Sequence, residues 1–194
     1  MVETFVHESF NFVVVLPLLA KYTFSGGPGL YGALSSVMAI GSVAGALATA
    51  GRGRPTRRLL LGTAVAFGAT ALLAATAPNP VVLGVLLVPV GASMIAFIAT
   101  ANSTVQLHSD PALRGRVMAL FVLVFLGSTP VGGPVVGWLS DPHQFGPRAG
   151  LVVAGASTLT AALTAIAISR PWSRARIAAR PRPELQVQTG RVAS

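Results

Sequence analysis

One carboxylate falls within an apolar part of the chain and away from any predicted loop. Glu8 lies just before the apolar run from Phe10 to Ala20. On a helix it would share a broad face with three further polar residues, Glu3, His7 and Asn11. Carboxylates inside membrane helices often serve as proton relays. The equally open alternative is that the helix begins later and that Glu8 is a solvated residue at its frayed start.

Two amide side chains, Asn102 and Gln106, lie one helical turn apart near the end of a long apolar run, with Ser103 beside them. They could line a substrate path, or they could hydrogen-bond to neighbouring helices, which is worth about 0.6–2 kcal/mol per bond. We favour the packing role. The same two alternatives apply to Asn11, and the candidates for substrate binding or coupling remain Glu8, Asn11, Asn102 and Gln106.

Two arginines, Arg114 and Arg116, follow the same run and could dock onto carboxylates of a partner helix as a cytoplasmic gate. The tendency of cytoplasmic loops to carry positive charge would account for both without a gate. The three histidines fall in different segments, cysteine is absent, and no Ser/His/Asp group is arranged for catalysis. We therefore expect neither an enzyme nor a bound metal or cofactor.

The elements that position these residues start from the run Leu59 to Ser109, which contains no Asp, Glu, Lys or Arg. A transmembrane helix needs about 20 apolar residues to cross a hydrocarbon core of about 30 Å. The run therefore predicts two crossings joined by the turn Pro78 to Pro80. The chain is 53% apolar and 10% charged, with a mean hydropathy of +0.71, which is too little polar surface for a soluble domain. The sequence predicts an all-α integral membrane protein.

Six membrane spans are predicted, and they form two three-helix repeats. Because each repeat has an odd number of crossings, the second is inverted relative to the first. Residues 1–169 are the predicted membrane domain, and residues 170–194 are predicted to be a basic, disordered cytoplasmic tail that lies on anionic lipid. The predicted spans are Val2–Tyr22, Leu30–Ala50, Leu59–Ala77, Val81–Leu107, Val117–Leu139 and Arg148–Ser169.

Proline and glycine predict three local features of these spans. Pro17 is expected to bend the first span. The Gly- and Pro-rich stretch 127–137 is expected to make the fifth span one bent, closely packed helix. Asp110 and Pro111 are expected to cap and begin a short interfacial helix between the fourth and fifth spans.

Two pairs of glycines have the spacing of helix contacts. Gly41 with Gly45, and Gly133 with Gly137, are four residues apart, as in the GxxxG pattern that lets two backbones approach closely. We expect all four to lie where helices meet. Val88 is expected to face lipid.

The distribution of basic residues predicts the orientation. Of the 14 lysines and arginines, all except Lys21 and Arg148 lie in the loops 51–58 and 108–116 or in the tail. Because cytoplasmic loops carry the excess of basic residues, both termini are predicted to be cytoplasmic, in a multi-pass protein of the cell membrane. The charges fall in short clusters between apolar runs, which argues against nucleic acid as a partner.

Several stretches of the chain carry a family resemblance. The first two are Asn102–Leu107 and Asp110–Leu120, and Phe125–Gly133, Asn11–Phe12 and Leu16–Ala20 extend them. Together they resemble exporters of the major facilitator superfamily, in particular the branch of the enterobactin exporter and the macrolide-efflux-like proteins. In such proteins these segments belong to the seventh, tenth and eleventh of twelve transmembrane helices. The chain therefore resembles the C-terminal half of an exporter.

The resemblance implies a substrate cavity between two six-helix halves. A chain with one half would need a second, either a separate polypeptide or another copy of itself, to export a small amphipathic molecule such as a drug or siderophore, driven by proton entry. The loop 51–58 is similar to the basic loop motif of the superfamily, although the acidic residue of that motif has no counterpart here.

A rival interpretation is a truncated, transport-inactive membrane protein or a partner subunit without transport activity of its own. Met1 falls where the seventh helix of a full exporter would enter the membrane, which favours this rival. The neighbouring reading frame would discriminate between the two, because a six-span first half would indicate a split transporter.

Overall fold

The computed structural model describes residues 12–52, 55–127, 129–141 and 143–178, and this part of the chain is helical with no strand. A π-helical turn, Leu19–Thr23, follows α1 directly. The α-helices are α1 (Phe12–Leu18), α2 (Pro28–Ala50), α3 (Arg57–Ala75), α4 (Pro80–His108), α5 (Arg114–Gly127), α6 (Thr129–Leu139) and α7 (Ala149–Ala178).

Four of these helices are long and apolar enough to cross a membrane. They are α2, α3, α4 as far as Leu107, and α7 as far as Ala167. They coincide with the second, third, fourth and sixth predicted spans, so these four predictions are confirmed. A side-chain cap precedes each helix of the central hairpin: Thr56 accepts from Leu59 N at 3.2 Å, and Asn79 accepts from Val82 N at 2.8 Å before α4 begins at Pro80.

The structure describes the first and fifth predicted spans only in part. The structure describes the first span from Phe12, and α1, which contains Pro17, passes after Leu18 into the π-helical turn. Within the fifth span the structure describes helix over α5 and over α6, and residue 128 between them lies outside the described residues. The expectation of one bent, closely packed fifth helix stays a prediction. α5 packs mainly against its chain neighbours and leaves Leu120, Val122 and Leu123 exposed.

Two further boundaries differ from the sequence-based expectation. The predicted interfacial helix at Asp110 and Pro111 is a single hydrogen-bonded turn, in which Asp110 Oδ1 accepts from Ala112 N at 2.9 Å, and the chain then enters α5 directly. At the other end, α7 continues as a helix beyond Ser169 to Ala178, so the helix is longer than the apolar span. The rest of the predicted tail, from residue 179, lies outside the described residues.

α2 and α4 run parallel and pack backbone against backbone. A Cβ built on Gly41 would overlap the carbonyl group of Val88, and one built on Gly45 would overlap that of Ala92. The two glycines are four residues, or one helical turn, apart, and so are the two residues that they contact, in the same order. The two helices are therefore parallel. The predicted contacts of Gly41 and Gly45 are confirmed. The expectation that Val88 faces lipid is wrong, because it is half-buried and its backbone forms the contact.

α3 and α7 run antiparallel about a local two-fold axis. A Cβ on Gly68 would lie 2.9 Å from the carbonyl oxygen of Gly155, and one on Gly155 would lie 2.8 Å from that of Gly68. The contact is also reciprocal one turn later, because a Cβ on Gly68 would approach the side chain of Leu159 and a Cβ on Gly155 would approach that of Leu72. An inverted pair of repeats predicts such a two-fold contact between the third helices of the two repeats.

The core of the bundle lies between these helices and is filled by large apolar side chains. Phe12 of α1 packs edge to face on Phe67 of α3, with ring centroids 6.1 Å apart. α1 thus joins the core at its first described residue. The residues at or below 1% exposure include Leu19, Phe67, Leu83, Leu87, Val90 and Leu151.

Candidate functional site

The amide pair of α4 forms a hydrogen bond within its own helix. Gln106 Nε2 donates to Asn102 Oδ1 at 2.8 Å, with Asn102 half-buried and Gln106 exposed. The bond expected between helices is thus made along one helix. Asn102 Nδ2 and Gln106 Oε1 have no hydrogen-bond partner among the residues that the structure describes, so the pair retains an NH2 donor group and a carbonyl acceptor for a group that approaches this end of α4.

Arg114 and Arg116 begin α5, and both side chains are exposed. The described ranges contain two carboxylates, Asp110 and Asp141. Asp110 is engaged in its own turn, and Asp141 Oδ1 accepts from His143 N at 2.8 Å in the loop that follows α6. A gate in which these arginines dock onto a carboxylate would therefore need a partner from beyond the described residues.

Glu8 and Asn11, the remaining candidates for coupling or substrate binding, lie outside the described residues. Asn11 directly precedes Phe12, which is 5% exposed in the core of the bundle. The chain therefore enters the apolar core at the position that follows these two candidates.

Sequence reasoning missed a set of buried and half-buried hydroxyl groups within the bundle. Thr70 Oγ1 of α3 and Ser93 Oγ of α4 lie 3.4 Å apart, and Ser93 also donates to the carbonyl oxygen of Pro89 at 2.7 Å. Thr100 and Thr158 are buried and donate to carbonyl oxygens of their own helices. A serine or threonine hydroxyl can donate to a carbonyl oxygen in the preceding turn of its own helix. Such residues therefore occur within apolar spans as alanine does, and the sequence pattern does not show which of them are buried. The Thr70–Ser93 contact joins α3 and α4, and none of these four hydroxyls can titrate.

Arg148, one of the two basic residues predicted to face outward, has a structural partner. Its Nη2 donates to the carbonyl oxygen of Ala77 at 2.8 Å, just beyond the C-terminal end of α3. At the other end of the same antiparallel pair, Arg57 Nη2 lies 3.4 Å from the carbonyl oxygen of Ala165. A cation at the C-terminal end of a helix is favourable for the helix dipole. Capping of α3 therefore explains why Arg148 lies on the side predicted to be external, although most basic residues are predicted to be cytoplasmic.

We expect Arg148→Gln to lower stability by about 1 kcal/mol, because a charged donor to the end of α3 is lost at an exposed site. For a chain of this length the unfolding midpoint in detergent should fall by about 2–4 °C. Lys21→Gln is the matched control, since it removes the other outward cation, which lies over the ring of Tyr22 at 5.0 Å. Equal losses of stability in both variants would show that the effect comes from removing a positive charge and not from losing the hydrogen bond to Ala77.

The comparisons with known proteins give one match. The family described as transmembrane secretion effector matches the chain over residues 2–190. No curated protein and no solved structure matches the chain.

Proposed function

The chain belongs to the transmembrane secretion effector family, a family of major facilitator-type transporters, and from this membership we propose that it is one six-helix half of an exporter. The proposed exporter moves small amphipathic molecules out of the cell by alternating access and is driven by proton entry. The observation that carries the proposal is the family match over nearly the whole chain, together with the four helices that can cross a membrane.

The filled core supports the need for a second half. Phe67, Leu83 and Leu87 are fully buried between α3 and the helices packed on it, and the glycine contacts bring α2 against α4 and α3 against α7 without space between the backbones. Sites of secondary transporters lie at the interface of repeats or halves near the bilayer midplane. We therefore place the substrate between this bundle and a second six-helix body, which is a separate chain or another copy of this one.

The direction of the helices supports the proposed orientation. α2 and α4 are parallel, and α3 and α7 are antiparallel, as six consecutive crossings with both ends on one side require. Arg148 and Ala77 meet at one end of the bundle and Arg57 and Ala165 at the other. We propose that the end with Arg57 is cytoplasmic, because the basic clusters lie there.

This orientation predicts the accessibility of tags. Tags inserted at Gly27, Asn79 and Gln144 should be reached from outside intact cells, whereas tags at Ala112 and at the C-terminus should be reached only after permeabilisation. The measurement is labelling of whole and permeabilised cells with an impermeant reagent. A cytoplasmic tag at Asn79 would contradict both the six-span topology and the orientation.

Transport itself is tested by expressing the chain alone and with a candidate first half, and by measuring the accumulation of a fluorescent dye in intact cells. Lower accumulation only with both chains supports a split exporter, and lower accumulation with this chain alone supports assembly from two copies. Unchanged accumulation in both cases, at equal levels of inserted protein, would favour the rival interpretation of a transport-inactive membrane protein.

A further inference from the structure

α4 extends beyond α2 at one end of the bundle. The contact of Met38 with Gly91 places the first residues of these parallel helices, Pro28 and Pro80, at about the same level. α2 has 23 residues and α4 has 29, so α4 is longer by about 9 Å at 1.5 Å per residue. The contact of Gly41 with α4 only lengthens this overhang. The additional length lies at the end where the chain leaves α2 for the basic loop 51–58.

The two amides of α4 lie on the face that this helix turns toward α2. Asn102 comes 18 residues, or five complete turns, after Gly84, whose Cβ position lies 3.8 Å from Leu34 of α2. Gln106 comes the same number of turns after Val88, whose backbone contacts α2. The amide pair therefore continues the α2-facing stripe to the end of α2 and beyond it.

The groove between α2 and α4 widens toward the same end. Gly41 and Gly45 are buried against α4, whereas Ala48, seven residues after Gly41 and on the same face, is exposed. Arg52 follows one turn later, and its Nη1 donates to the carbonyl oxygen of Ala48 at 3.4 Å. The guanidinium group thus folds back over the α2 side of the opening, and the amides of α4 lie on the other side.

The polar groups around this opening match an anion that also carries a hydroxyl group. The NH2 group of Asn102 is an available donor, and the guanidinium of Arg52 offers several N–H donors and a permanent charge. Gln106 Oε1 is an available acceptor. Of the two carboxylates in the described ranges, Asp110 is engaged in its own turn and Asp141 lies at the other end of the bundle. Charged and neutral N–H donors together suit the oxygens of a phosphate group.

Apolar surface beside the opening suits acyl chains. Leu47 of α2 is 69% exposed and Leu107 of α4 is 61% exposed. The apolar part of α4 has 28 residues and reaches about 42 Å, which exceeds a hydrocarbon core of about 30 Å. The overhanging end of α4 therefore lies among lipid headgroups, where a phosphate with attached acyl chains is the most abundant anion.

We propose that an anionic phospholipid binds in the widened end of the α2–α4 groove. Its phosphate lies between Arg52 and Asn102, a hydroxyl of its headgroup donates to Gln106 Oε1, and an acyl chain packs beside Leu47. Phosphatidylglycerol has this combination of a charged phosphodiester and headgroup hydroxyls. The bound lipid joins the splayed ends of α2 and α4. It is a resident of the site and not the transported molecule, so the proposal goes beyond the proposed function.

Two pairs of matched variants test the site. Arg52→Gln removes the cation of the site, and Arg58→Gln removes the same charge from the exposed start of α3. Asn102→Asp keeps the acceptor for Gln106 but replaces the available donor by a carboxylate oxygen, whereas Ser103→Asp adds the same charge about 100° around the helix. Each purified variant is titrated in detergent with short-chain phosphatidylglycerol, and the bound lipid is counted by native mass spectrometry. Phosphatidylcholine of the same chain length and inorganic phosphate are the comparison probes.

We expect the dissociation constant for phosphatidylglycerol to rise at least about tenfold in Arg52→Gln and in Asn102→Asp, because each loses a charge-assisted hydrogen bond. It should rise less than about threefold in the two controls. The parent should bind phosphatidylcholine at least about tenfold more weakly, and inorganic phosphate should not displace the lipid.

Three results would overturn the proposal. Equal losses of affinity in the site variants and their controls would show a general attraction of anions to this end of the bundle. Displacement of the lipid by inorganic phosphate would assign the groove to free phosphate, and equal binding of phosphatidylcholine would remove the requirement for an anion. The measurement involves no transport, so these results leave the proposed function unaffected, and a failure of efflux leaves the lipid site unaffected.

Discussion

Gly41→Leu should remove most of the folded protein that can be extracted in detergent. The position has no room for a side chain, because even a Cβ would overlap the backbone of Val88. Backbone atoms cannot relieve an overlap by changing rotamer, as a flexible side chain can, so α2 and α4 would have to separate. We expect a loss near or above the upper end of the range for overpacking, about 3 kcal/mol, which is roughly a hundredfold shift toward unfolded protein. The measurement is the monodisperse fraction on size-exclusion chromatography at equal expression.

The control for this prediction is Gly32→Leu, which makes the same substitution in the same helix. Gly32 is exposed, and no described atom lies within 4 Å of an added Cβ. Leucine also favours the helix over glycine by roughly 1 kcal/mol. The folded yield of this variant should therefore equal or slightly exceed that of the parent. Equal tolerance of leucine at Gly32 and Gly41 would show that the parallel glycine contact does not exist in the membrane.

Proton-driven efflux should fall to background in Glu8→Gln when the exporter is assayed with its second half present. Glutamine keeps the size and hydrogen-bonding capacity of the side chain but cannot gain and lose a proton during a transport cycle. Insertion and expression should be unchanged, because the substitution removes a charge from a predicted span. The measurement is the rate of dye efflux after a proton gradient is imposed on vesicles.

Glu3→Gln is the matched control for this second prediction, because it makes the same chemical change five residues earlier in the chain. We expect its efflux rate to equal that of the parent. Undiminished efflux in Glu8→Gln, at an equal level of protein, would assign Glu8 to the solvated start of the helix and move proton coupling to the second half.

The long spans could be predicted from the sequence because hydrocarbon imposes one requirement on them. A run such as Leu59 to Ser109 has no charged residue, and only helices satisfy its backbone in a membrane. The shape of the fifth span could not be predicted, because Pro130 and Pro134 allow either a kink within one helix or two helices. The choice depends on packing, and the described part of α5 contacts mainly its chain neighbours α4 and α6.

Partners of single residues were harder to predict than spans. GxxxG spacing predicts that Gly41 and Gly45 are contact residues, but it does not predict which helix they contact. The contact with Val88 therefore could not be foreseen, and Val88 is predicted from the sequence to face lipid. The amides of α4 were expected to reach another helix, although Gln106 bonds to Asn102 on its own. A hydrogen bond within one helix and a bond between two helices need the same residue types, so composition cannot distinguish them.

The two-fold contact between Gly68 and Gly155 has a consequence for biosynthesis. The partner of Gly68 is made about 90 residues later, and at about 5–20 residues per second the ribosome needs roughly 4–18 s to reach it. During that interval α3 stands in the bilayer with its glycine face turned to lipid or to the insertion machinery. The α3–α4 hairpin is complete long before, and so is the docking of α2. Of the helices that the structure describes, α7 emerges last and closes the bundle, so a chain arrested before α7 would be inserted but unfinished.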